Sequence, residues 1–181
     1  MSAGNQHFGW GRTSRDAESA LLDYPKYLFH PECGLCDPAT AAIPITVGGI
    51  ATETVPSARR GMQADSVFRH VAEIGEPTPT TRTGPGLGGA VKPEFVGPGG
   101  NSVFRDRQTM DADPALSVMS LSHKPTERLF AFESATSFAA PHVARQASIV
   151  WHRLAEYLGE DPHPNLVRAV LASAARVPEA A

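Results

Sequence analysis

Cysteine is scarce in this sequence, two residues in 181, and no long hydrophobic run is present. A multi-disulfide framework is therefore excluded, and no segment supplies the roughly 18–20 apolar residues that a bilayer span requires. No block of Lys or Arg exceeds two residues, and the net charge is −3 with a pI near 6.1. The basic stripe needed to displace counterions from nucleic acid is thus missing, so neither nucleic acid nor membrane is an expected partner. Met1-Ser2-Ala3-Gly4 opens without the charged start and apolar stretch of a secretory signal. The carboxylates are scattered, with no oxygen-ligand loop for calcium, and no metal or other cofactor is expected.

The two cysteines form a Cys33-x-x-Cys36 pair in a Pro-rich loop. Structural zinc needs four ligands, and only His30 and Asp37 stand nearby. Pro31 and Pro38 argue against the helix that a redox pair of this spacing opens. Free thiols are the expectation, with a local disulfide or a metal or redox role as the alternatives.

What is present reads as globular. Hydrophobic residues make up 41% and charged residues 19%, a balance that can bury a core. The 16 Gly and 16 Pro predict many turns and long loops between short elements. Residues 1–40 read as loop with a helical turn around 16–22. The β-branched stretch 43–50 predicts a buried strand, Glu94-Phe95-Val96 a short one, and residues 115–122 a third. From Ser137 onward, Val143, Ala147, Val150, Leu154 and Tyr157 recur at spacings of three and four. They draw one apolar stripe along a helix over 137–158, with Ile149 and Leu158 beside it. The first turns carry Ala139, Ala140 and Ala144, small enough for close approach to neighbouring backbone. Asp161-Pro162-His163-Pro164 interrupts the pattern, and Leu166, Val167, Val170, Leu171 and Ala174 predict a final helix over about 164–175. Strands alternating with helices give an α/β fold class.

The segment Ala135-Thr136-Ser137-Phe138-Ala139-Ala140-Pro141-His142-Val143-Ala144 concentrates the chemistry. It sets a Ser hydroxyl at the start of a small-residue helix. Free backbone N–H groups and the positive end of the helix dipole gather there, a setting suited to a developing oxyanion. An N-cap role for Thr136 or Ser137 explains the same residues, and the local chemistry alone favours it.

This segment resembles the nucleophile motif of the subtilase family of serine peptidases, Gly-Thr-Ser-(Met/Phe)-Ala-(Ala/Ser)-Pro-His-Val-Ala. It departs at Ala135, where the family most often has Gly, by one added methyl in a tight turn. Three further stretches resemble the family in the same order. They are Ser2-Ala3-Gly4-Asn5, Ile45-Thr46-Val47-Gly48-Gly49-Ile50, and Lys92-Pro93-Glu94-Phe95-Val96-Gly97-Pro98-Gly99-Gly100. The stretch 164–171 is similar to the helix that follows the nucleophile helix in intracellular-type members.

The resemblance implies a subtilisin-like serine endopeptidase, with Ser137 as nucleophile and Asn5 as oxyanion-hole donor. Ala3 and Gly4 would form part of the substrate-binding wall. It implies the C-terminal half of a three-layer α/β/α sandwich with a mostly parallel sheet, running from an oxyanion loop at 2–5 to the final helix. Peptide or protein is then the substrate, and the sparse cysteines and intracellular-type likeness lean toward the cytoplasm. The catalytic Asp and His of the family precede its Ala-Gly-Asn loop, and none of the seven histidines here is followed by Gly. His142 matches the family's structural His, one turn beyond Ser137 and directed away from it. The expectation is a chain inactive alone, its N-terminal half absent or supplied by a complementary polypeptide.

Two rival readings remain. Gly84-Pro85-Gly86-Leu87-Gly88-Gly89 has the bare spacing of a dinucleotide loop, but it follows no strand, and Lys92-Pro93 stops any helix after it. A non-catalytic pseudo-peptidase or protein-interaction module is the stronger alternative.

Overall fold

The computed structural model describes residues 24–29, 31–54, 69–105, 108–110 and 113–178. The roles expected of Ala3, Gly4 and Asn5, and the helical turn at 16–22, lie outside these described residues.

In chain order the strands are β1 (Val47–Ile50), β2 (Arg69–His70), β3 (Phe95–Pro98), β4 (Val103–Arg105), β5 (Gln108–Met110), β6 (Val118–Leu121) and β7 (Phe130–Glu133). Two helices follow, α1 (Thr136–Leu158) and α2 (Pro164–Ala174). β1 is shorter than its β-branched run suggests. Pro44 has no N–H to give to a ladder, and Ile43 is 85% exposed, so pairing begins only at Val47.

β1 and β3 pair in parallel, Val47 opposite Phe95 and Ile50 opposite Pro98. A parallel neighbour requires a long crossover, and residues 51–94 supply it. The remaining ladders, β2–β4, β4–β5 and β6–β7, are antiparallel. Short connections allow only that direction for β4–β5 and β6–β7. A mostly parallel sheet is therefore not what the described residues form. They hold one parallel strand pair and two antiparallel sheets. The content is mixed α and β.

The far edge of β1 is covered by side chains and loop. Gly49 N–H donates to Thr81 Oγ1 at 2.8 Å, and the Gly49 carbonyl accepts from Thr78 N–H at 2.8 Å. Thr78 and Thr81 are buried, so their hydroxyl and backbone groups replace a strand that would otherwise satisfy β1.

α1 packs on β1 and β3, and α2 packs on α1. The apolar stripe is only partly covered: Val143, Ala147, Val150 and Leu154 are half-buried, whereas Tyr157 is exposed. Ala139 is fully buried against β3. The fit depends on Gly97, because a β-carbon there would stand 3.0 Å from the Ala139 carbonyl oxygen. α1 stops at Gly159, whose N–H donates to Ala155 O at 2.9 Å. His163 caps α2, its Nδ1 accepting from Asn165 N–H at 3.2 Å, with Pro164 as the first helical residue.

An ion network binds α2 to the parallel pair. Glu94 Oε1 is 2.7 Å from Lys92 Nζ and 2.6 Å from Arg168 Nη2, and its Oε2 accepts from Thr46 N–H at 2.8 Å. Lys92 Nζ also donates to Pro44 O at 2.5 Å, and Arg168 Nη1 to Ile43 O at 2.9 Å. Among the described residues no helix is long and apolar enough to cross a membrane.

Candidate active site

Ser137 is the second residue of α1, and its side chain is exposed. The N-cap is Ala135, at φ −167° and ψ 155°, and no side chain caps the helix. The N-cap reading of Thr136 and Ser137 is therefore corrected: both lie inside the helix, Thr136 fully buried and Ser137 facing out. The extra methyl at Ala135 meets no conformational barrier either, because extended backbone suits any residue.

The helix start is electropositive by construction. Its first N–H groups lie ahead of the i→i−4 ladder, and no acidic side chain stands in the first turn to offset the dipole. Phe138 N–H turns back to Ala135 O at 3.1 Å. Pro141 lies inside α1 and has no N–H to donate to the carbonyl of Ser137 four residues before it. The backbone around the hydroxyl is thus less tied to the helix than an ordinary second position.

No base reaches this serine among the described residues. His142 is exposed and makes no hydrogen bond to Ser137. His70 pairs with Glu73 at 2.8 Å, His152 with Glu156 at 3.3 Å, and His163 is the α2 cap. Asn5, Ala3 and Gly4 fall outside the described residues, so Ser137 is the one member of the expected set with a described position.

Behind the helix start lies a polar cluster that the sequence did not announce. Asn101 is fully buried with every side-chain group in use. Its Oδ1 accepts from Ala72 N–H at 3.1 Å and Ser102 N–H at 2.9 Å; its Nδ2 donates to Ala72 O at 2.7 Å and Glu53 O at 3.0 Å. Its carbonyl accepts from Ser134 Oγ at 2.9 Å. The only hint in the sequence is a Gly-Gly-Asn run at a strand exit, a turn pattern that names no partner.

Cys33 is buried and Cys36 exposed, and no disulfide joins them. The loop at 84–89 ends in a three-residue 3-10 turn, Leu87–Gly89, with no long helix to receive a pyrophosphate. An open cavity of about 700 Å³ lined by Phe29, Leu35, Pro85, Val91 and Lys92 lies among the loops, and no residue of α1 lines it. Tyr24 donates to Pro77 O, and burial, then the nearby Glu76 charge, pushes its hydroxyl above the usual phenol range.

The model of the Subtilase family matches residues 1–180. This chain belongs to the subtilase family. The match takes in both the described helix start at Ser137 and the segment before residue 24. A relative, the uncharacterized protein y4bN of Sinorhizobium fredii, is 38% identical over 186 residues, covering 100% of this chain and 41% of the relative. The chain thus spans about two-fifths of the length of the curated relative it matches. No solved structure matches.

Proposed function

We propose that this subtilase chain is the nucleophile-bearing part of a subtilisin-like serine endopeptidase, with Ser137 as the nucleophile. The observation that carries the reading is the place of Ser137: exposed, uncapped, second in a helix whose positive end is unopposed.

In this reading Ser137 Oγ attacks the carbonyl carbon of a peptide bond. Its proton passes to a histidine, oriented by an aspartate, on a segment outside this chain. The carbonyl oxygen, now negative, is held by the Ser137 N–H and by the Asn5 side chain, while Ala3 and Gly4 line the substrate wall. Collapse of the tetrahedral intermediate expels the amine, which takes the histidine's proton, and leaves an ester on Ser137. Water attacks the ester through the same histidine and restores the serine. In subtilisin itself, loss of the Asn donor lowers turnover about 10²- to 10³-fold, which sets the scale for Asn5. The domain this implies is a three-layer sandwich, of which residues 1–181 are the C-terminal portion.

A second reading, a non-catalytic interaction module, is favoured by one observation: no histidine in the sequence is followed by Gly, so the family's base segment is not in this chain. Fluorophosphonate labelling of the protein purified from its own locus separates the two. An adduct on Ser137 supports the peptidase, and its absence supports the module.

A further inference from the structure

The start of α1 has no cap of its own, so something else must hold it in place. Ser134 lies between the end of β7 and the N-cap, three residues before Ser137. Its hydroxyl has one hydrogen to donate, and that hydrogen goes to the Asn101 carbonyl at 2.9 Å. Ser117 Oγ stands 3.3 Å away but gives its own hydrogen to Asp113 O at 2.8 Å, so it does not replace that bond.

The acceptor is unusually well fixed. Asn101 is clamped by four side-chain hydrogen bonds, and its N–H donates to Leu116 O at 2.8 Å. Gly100 before it has φ +78°, and a β-carbon there would overlap Ser134. The backbone at 100–101 is thus shaped to bring a rigid carbonyl against one hydroxyl.

We propose that Ser134 is a positioning residue for Ser137, its hydrogen bond to the Asn101 carbonyl fixing the turn that carries the candidate nucleophile. The proposal rests on the peptidase reading above. A displacement of about 1 Å at a reacting group can cost about a hundredfold in rate, so one hydrogen bond at this joint has leverage beyond its own strength.

The test compares Ser134→Ala, which deletes the donor, with Ser134→Thr, which keeps it. Two quantities are read on protein purified from its own locus: the rate of fluorophosphonate labelling at Ser137, and amide hydrogen exchange by segment. In Ser134→Ala, labelling should slow by about tenfold or more. Exchange should quicken at 135–138 while β1, β3 and α2 keep wild-type rates, and Ser134→Thr should recover both. Wild-type labelling in Ser134→Ala, or exchange that rises equally in every segment, overturns the proposal. If wild-type protein is not labelled at all, the nucleophile reading fails by itself. Exchange at 135–138 then decides the joint: faster in Ser134→Ala upholds it, and unchanged overturns it.

Discussion

Gly97 of β3 and Ala139 of α1 meet backbone to backbone, a β-carbon at 97 lying 3.0 Å from the Ala139 carbonyl oxygen. That contact sets how closely the helix bearing Ser137 approaches the parallel pair. Gly97→Val should force the two apart and cost about 1–3 kcal/mol, the usual penalty of overpacking. Urea unfolding of the two proteins measures it, and equal midpoints would show that the contact does not limit the approach.

Glu94 joins the loop before β1, the entry to β3 and α2 through three charged or polar partners. The Lys92 side chain is fully buried, so Glu94→Ala leaves an uncompensated charge inside and should cost about 3–5 kcal/mol. Arg168→Ala should cost less, because Arg168 is about a third exposed and water screens its loss. Thermal unfolding of both variants gives the ranking, and a larger loss for Arg168→Ala would contradict it.

Tyr24 supplies the pH dependence. Its folded-state ionisation is raised above the ordinary phenol value of about 10, so the folded state keeps a proton that the unfolded chain releases. Its contribution is fully present below pH ~10 and is lost as pH climbs above that value. Tyr24→Phe should therefore flatten the alkaline limb of stability, read by denaturant titration across that range. An unchanged limb would place the alkaline loss elsewhere.

The β6–β7 hairpin carries Met119 opposite Phe132 and Leu121 opposite Phe130. All four are exposed, together with Leu129 in the connecting turn. On α1, Ile149, Tyr157 and Leu158 are exposed as well. Surfaces of this kind promote association, so the 181-residue chain expressed alone should scatter light at concentrations where Leu121→Ser/Phe130→Ser does not. Equal scattering would show that the hairpin is not the sticky surface.

The helices were legible because periodicity and breakers agree: the stripe from Ser137 and the interruption at 161–164 correspond to α1 and α2. The small residues at 139, 140 and 144 permitted close approach to neighbouring backbone; Ala139 makes it against Gly97, whereas Ala144 is exposed. Strand pairing was not legible in the same way. β1 and β3 lie far apart in sequence, and nothing in their short runs dictates how many neighbours each has. The N-cap was misread because Thr136 and Ser137 have the right side chains while Ala135 has the capping backbone. Ser134, Asn101 and the Lys92–Glu94–Arg168 network were invisible for a simpler reason. Long-range hydrogen bonds between single polar residues leave no periodic trace.

Ser137 stands at the centre of the proposed chemistry, and its reactivity is the most direct test. Protein purified from its own locus is treated with a fluorophosphonate, and the adduct is mapped by peptide mass spectrometry. The nucleophile role predicts an adduct on Ser137 that Ser137→Ala abolishes, with none on the 181-residue chain expressed alone. Protein from its own locus that carries no adduct at Ser137 would contradict it.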